Sequence, residues 1–265
     1  MTKQDLTNAI TNCVSRGDKA FVPYILAGDG GLETIKKNIL FLQETGVTAI
    51  ELGIPFSDPV ADGPVIQEAG ERALADGVTL RKVLQELALF NDEVTVPLII
   101  MTYLNPILGY GINEFARDCQ NSGISGLIVP DLPYEESGLL RNSLTISKIA
   151  LIPLVSLTSP PERIKKITAA AEGFVYAVTV NGITGVRNGF GEDLAAHLEQ
   201  LKKVSPVPVL AGFGISTPEQ VRSIGALADG VIVGSAIVTA FHMGDLDLIH
   251  SLVDASRNEV HQTIN

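Results

Sequence analysis

Apolar residues fall into short strings separated by amphipathic stretches along the whole chain. The strings occupy 20–26, 48–52, 97–102, 126–129, 149–154, 174–178, 207–211 and 230–233. Most are continuous rather than alternating, as in Leu98-Ile99-Ile100-Met101. Strands buried on both faces read that way, and they occur in parallel sheets covered by helices. Between them, helical periodicity runs over 33–45, 79–90, 112–121, 135–147, 161–171, 192–203 and 217–224, and a closing helix is expected over 245–258. An amphipathic segment with Leu6, Ile10, Cys13 and Val14 on one face precedes the first string. Thr217-Pro218-Glu219-Gln220 predicts a capped helix start with proline in the first turn, and Ser159-Pro160-Pro161-Glu162 predicts a similar one. Eight strings, each followed by a helix and with no linker-like break, predict a single (β/α)8 TIM barrel over residues 1–265 with an extra N-terminal helix. The rival is an open doubly wound sheet, but no Gly-x-Gly-x-x-Gly follows the first string.

The second string runs into Glu51-Leu-Gly-Ile-Pro-Phe-Ser-Asp-Pro-Val-Ala-Asp62-Gly-Pro. Its prolines and glycines stop the strand and delay any helix, so it reads as a rigid loop presenting carboxylates at a strand end. In a barrel, that end of the sheet carries the catalytic groups. Glu51 points to general acid–base chemistry there. Asp62 is a second candidate, although Asp-Gly also forms turns. Asp58 precedes a proline and reads as a turn or contact residue; Asp29 and Asp131 are expected to cap the helices that follow them.

Glycines cluster after the last three strings, at Gly182, Gly185, Gly212, Gly214 and Gly234, and Ser235 stands where a helix should begin. Open backbone N–H groups and a helix N-terminus favour an anion, so these loops predict a phosphate site. Tyr24, Tyr103, Tyr176 and Phe213, with Met101, Ile128 and Leu154, fall near the mouth and could line a flat apolar pocket as well as pack the core.

Composition narrows the chemistry. The chain has 265 residues, 46% of them hydrophobic and 18% charged, enough for a substantial core. A net charge of −11 with scattered basic residues argues against nucleic-acid binding. No signal-peptide core or membrane-length apolar run is present, and Cys13 and Cys119 are too few for a disulfide framework, so a reducing cytoplasm or plastid-like interior is expected. His197, His242, His250 and His261 lack metal-ligand spacing and are expected on helix surfaces. No metal cluster is evident, and none of the ten lysines falls where a Schiff base would be needed. If a carbon–carbon bond is broken, the substrate itself must act as the electron sink.

The long acidic motif resembles the signature of the tryptophan synthase α-subunit family. So do Phe21-Val-Pro-Tyr-Ile-Leu-Ala-Gly-Asp29, Met101-Thr-Tyr-Leu-Asn-Pro, Pro130-Asp-Leu-Pro-Tyr-Glu-Glu-Ser, Gly182-Ile-Thr-Gly185, Gly212-Phe-Gly-Ile-Ser and Gly234-Ser-Ala-Ile-Val. The resemblance implies cleavage of indole-3-glycerol phosphate to indole and glyceraldehyde 3-phosphate. It implies that Glu51 protonates indole C3, that Asp62 hydrogen-bonds the indole N–H, and that Tyr176 stands beside the reacting centre. It further places Tyr24, Met101, Tyr103, Ile128 and Phe213 at the indole, Gly185, Gly214, Gly234 and Ser235 at the phosphate, and Thr184 on a mobile lid. The implied partner is a tryptophan synthase β subunit in an αββα heterotetramer, facing the loop with Pro55 and Asp58. Pyridoxal phosphate would belong to that partner, leaving this chain with no cofactor. The lid sequence departs from many relatives at Asn181, Gly189 and Gly191, and Asp29 lacks the proline often found after it.

Three other readings stay open: a related barrel enzyme on indole or anthranilate phosphates, a stand-alone indole-glycerol phosphate lyase, and a weakly catalytic subunit that chiefly activates its partner.

Overall fold

The computed structural model describes residues 1–156, 158–178, 190–212 and 214–258. Its strands are β1 (Ala20–Leu26), β2 (Ile50–Gly53), β3 (Leu98–Met101), β4 (Ile124–Ile128), β5 (Ala150–Leu151), β6 (Leu154–Ser156), β7 (Val175–Val178), β8 (Val209–Gly212) and β9 (Gly230–Val233). They pair in the order β5-β4-β3-β2-β1-β9-β8-β7-β6, every paired neighbour parallel. The two ends of that order, β5 and β6, are separated in the chain only by Ile152 and Pro153. Ile152 N–H still donates to Leu127 O on one side, and Pro153 O accepts from Tyr176 N–H on the other. The sheet therefore returns to its own start as a TIM barrel whose fifth strand is bent at a proline. The sequence predicted that strand as one run over 149–154. It is interrupted because Pro153 has no N–H to give the ladder.

The continuous apolar strings are explained by two cores, one on each face of the sheet. Outward residues such as Phe21, Ile50, Leu52, Ile100, Val155 and Val231 pack under the helices. The alternate residues Ala20, Val22, Ala49, Ile99, Ile128, Ile152, Phe174, Leu210 and Ile232 fill the barrel interior. Because consecutive side chains leave opposite faces of a strand, both halves of each string must be apolar. The helix Lys3–Ser15 closes the interior with Leu6 and Ile10, both fully buried. This is the expected N-terminal helix, and it is the floor of the barrel.

Helix starts are mostly local. Thr217 caps Pro218–Leu227 through the predicted box, with Gln220 N–H donating to Thr217 Oγ1 and Thr217 N–H to Gln220 Oε1. The matching prediction at Ser159 fails: Pro161–Ala169 begins after Pro160 with no side-chain cap. Three helices lie outside the predicted periodic stretches, Pro64–Ala75, Leu104–Tyr110 and Ser235–Met243, the last expected only by its start at Ser235. The prolines of the acidic motif were expected to delay a helix, yet Pro64, like Pro106, lies in a first turn, where a missing N–H costs nothing.

Candidate active site

The C-terminal ends of β1, β2, β7 and β9 bring Tyr24, Glu51, Tyr176 and Gly234 around a cavity of about 290 Å³. Tyr24 sits opposite Glu51 in the β1–β2 register, and both point inward. The loop after β2 returns over the mouth and adds Ala61, Asp62 and Gly63, while the loop after β8 adds Gly214, Ile215 and Ser216. Two bare glycines make room for the tyrosines. A side chain on Gly53 would collide with the Tyr24 hydroxyl, and one on Gly212 would meet the Tyr176 hydroxyl at 2.5 Å.

The two carboxyls have different surroundings. Glu51 is 1% exposed, and among the described residues its Oε2 has no hydrogen-bond partner. Burial, and secondarily the charge of Asp62, pushes its carboxyl up from 4.5 to about 8, so it is neutral at pH 7. Asp62 is also raised by burial, but the Tyr103 hydroxyl pulls it back by donating to Oδ2 at 3.1 Å. Burial raises Tyr24 and Tyr176 well above the ordinary phenol range, so both stay protonated. The site thus holds a proton on Glu51 and offers a hydrogen-bonded carboxyl at Asp62, an acid beside an acceptor.

At the far wall, Gly234 follows β9 and is the N-cap of the helix Ser235–Met243, whose first turn opens into the cavity. Gly214 at φ +78° turns the β8 loop toward the same place. The N–H groups of a helix's first turn and the helix dipole make this wall suited to an anion. A second cavity of about 460 Å³ shares Ala61 and Met101 with the first. It is larger, but no described carboxylate lines it, so the proton chemistry belongs to the smaller one.

Several expectations are redirected. Met101 lines the cavity, whereas Ile128 is buried in the interior packing and does not line it. Tyr103 also stays off the lining and reaches the site through Asp62. Asp131 does not cap the helix after it. Its carboxylate accepts from Leu104 N–H, at the start of the helix that follows the preceding strand. Asp29 caps nothing, because both its oxygens take Arg72 at 2.8 Å. Pro55 is buried within the chain, while Asp58 is exposed and accepts from Ser57. His197 is half-buried rather than on the surface. Thr184, Gly185 and Phe213 lie outside the described residues, as do Asn181, Gly182, Gly189 and His261.

Ile66, Ile215, Ser216 and Ile232 were missed as lining residues. Ile232 was findable, since it stands two residues before Gly234 and must share its face.

The sequence profile described as tryptophan synthase alpha chain matches residues 10–263. The chain belongs to the tryptophan synthase alpha chain family. It is 50% identical over 243 residues to the tryptophan synthase alpha chain of Bacillus thuringiensis subsp. konkukian, covering 92% of this chain and 94% of that one. It is 51% identical over 239 residues to that of Bacillus mycoides, covering 90% and 93%. Among solved structures, tryptophan synthase subunit alpha from Legionella pneumophila superposes with a TM-score of 0.87 at 34% identity, covering 96% of this chain and 98% of that one. A chain of Mycobacterium tuberculosis tryptophan synthase gives 0.87 at 35%, with the same coverage. As a tryptophan synthase alpha chain, it is an enzyme of the lyase class, and cleavage of indole-3-glycerol phosphate is the reaction this site must explain.

Proposed function

We propose that Glu51 and Asp62 together drive the cleavage of indole-3-glycerol phosphate in this chain. The observation that carries this reading is the neutral, buried Glu51, one of whose oxygens has no partner among the described residues, in the same cavity as Asp62. Glu51 gives its proton to indole C3. The ring becomes an iminium whose C=N⁺ can accept an electron pair, and the Asp62 carboxylate stabilises the N–H that now carries positive charge. The bond from C3 to the hydroxyl-bearing side-chain carbon breaks, and its electrons return to the ring to regenerate indole. The hydroxyl proton passes to the Glu51 carboxylate as the aldehyde forms, which restores the acid. Every proton is accounted for with one carboxyl, so no lysine is needed.

Tyr176, protonated and beside Glu51, closes the reacting centre. Tyr24, Met101, Ile66 and Ile232 are the apolar wall for the ring. The phosphate lies against Gly214, Gly234 and Ser235, where its charge meets a helix N-terminus. This set requires no cofactor in the chain. Its proposed partner is a tryptophan synthase β subunit carrying pyridoxal phosphate, in an αββα assembly. The exposed face of the β2 loop, with Asp58 and the 84% exposed Val60, supports a contact there. Among the described residues, no helix is long and apolar enough to cross a membrane, which fits the proposed cytoplasmic setting.

The test is an indole-release assay on the purified chain with indole-3-glycerol phosphate, alone and with a β subunit. Slow cleavage that rises strongly with β supports the assignment. Fast cleavage alone would instead make it a stand-alone lyase, and no cleavage in either setting would overturn it.

A further inference from the structure

Tyr103 lies two residues past the end of β3 and is the N-cap of Leu104–Tyr110, with 3% of its surface exposed. Its hydroxyl accepts from Ala61 N–H at 2.9 Å and donates to Asp62 Oδ2 at 3.1 Å. With the lone pair engaged by Ala61, the hydroxyl proton has a fixed direction, toward Asp62. Its ring stacks on Phe56, centroids 5.2 Å apart at 30°. One side chain therefore grips the β2 loop at both ends. The backbone beside it is tied in turn, because Leu104 N–H donates to both oxygens of Asp131 at 2.9 and 3.2 Å. The other hydrogen bonds at this end of the loop, Asp62 N–H to Pro59 O and Gln67 Nε2 to Asp62 O, fix the Asp62 backbone. Tyr103 is the described donor that touches the carboxylate itself.

We propose that Tyr103 is a positioning residue, which aims the Asp62 carboxylate into the cavity. The proposal rests on the reading of Asp62 given above and deepens it. The packing supports it: Ala61 and Asp62 line the cavity, and Tyr103 stands behind them. A hydroxyl donating to a carboxylate favours its charged form. It opposes the burial that raises Asp62 toward its protonated form, and it is the charged form that can stabilise a cationic ring.

The experiment is Tyr103→Phe in the full chain assembled with a β subunit, which keeps the stacking ring and removes the hydroxyl. Turnover should fall about tenfold, the size of a lost hydrogen bond to a charged group. Affinity for 3-(indol-3-yl)propyl phosphate, the substrate skeleton without its hydroxyls, should stay within about twofold, since no transition-state charge is involved. The acid limb of the pH–rate profile should move to higher pH. The double variant Tyr103→Phe with Asp62→Asn should be no slower than Asp62→Asn alone, because the hydroxyl then has no carboxylate to orient. A full additional loss in the double variant, or an unmoved acid limb, would overturn the proposal. If Asp62→Asn leaves turnover intact, the catalytic reading has failed instead. Tyr103 is then judged by carboxyl ¹³C titration of Asp62, whose midpoint must rise in Tyr103→Phe for the positioning role to stand.

Discussion

Glu51 and Asp62 face one cavity from the same strand–loop unit, yet only Asp62 receives a described hydrogen bond. In the proposed mechanism, that asymmetry separates two chemically similar groups into a proton donor and a charge stabiliser.

Removing either carboxyl should reduce turnover without releasing the substrate. Glu51→Gln should lower kcat by about 10³-fold, within the range of general acid–base catalysis. Asp62→Asn should lower it by about 10²-fold, as for a lost electrostatic stabiliser. Titration with 3-(indol-3-yl)propyl phosphate should show near-parental affinity in both, the pattern of interactions made only in the transition state. A Kd that rises in step with the loss of kcat would contradict these roles.

Turnover should be bell-shaped in pH. Glu51 must be protonated to donate, so activity falls as pH rises through about 8. Asp62 must be ionised to stabilise the ring, so activity falls again as pH drops through its own raised value. Single-turnover rates of the assembled enzyme across pH 4–10 check both limbs.

The same burial makes Glu51 costly to stability. Its folded value lies above its ordinary 4.5, so the folded chain holds a proton that the unfolded chain has lost. Stability is therefore full below about 4.5 and is lost as pH rises toward 8. Glu51→Gln should recover about 3 kcal/mol at pH 7, reckoned at about 1.36 kcal/mol per pH unit above the ordinary value. The gain should vanish near pH 4. Urea titrations at the two pH values measure it, and an equal effect at both would refute the explanation.

Much of this was legible in the strings of the sequence, because a residue buried on either face of a barrel strand has to be apolar. The bend at Pro153 and the helices at Pro64 and Pro106 were not, since proline's meaning depends on whether its N–H would have had a partner. At the site, Glu51 could be found from its place at a strand end. The tie from Tyr103 to Asp62 spans 41 residues and leaves no local pattern. Asp29 and Asp131 misled for the same reason: each sits before a helix but spends its carboxylate on a neighbouring unit.

Gly53 supports the site through its missing side chain. Gly53→Ala should push the Tyr24 hydroxyl aside and disturb the wall beside Glu51. Affinity for the indole analogue should weaken by about tenfold, a cost of about 1.4 kcal/mol. Unchanged affinity in the variant would show that Tyr24 can move freely.

The floor of the barrel should matter as much as its mouth. Leu6 is fully buried against Gly126 and Gly173, where little can collapse into its place. Leu6→Ala should cost about 2–5 kcal/mol, as for other buried leucines. Thermal unfolding measures the loss, and a change below about 0.5 kcal/mol, typical of surface substitutions, would place the N-terminal helix outside the core.

The central claim is that Glu51 delivers a proton to C3 of indole. It is tested most directly by incubating the chain with indole in D₂O and following the C3–H signal by NMR. The parent protein should exchange that position for deuterium faster than free solution does, and Glu51→Gln should not. Equal exchange in both proteins would mean that another group carries the proton.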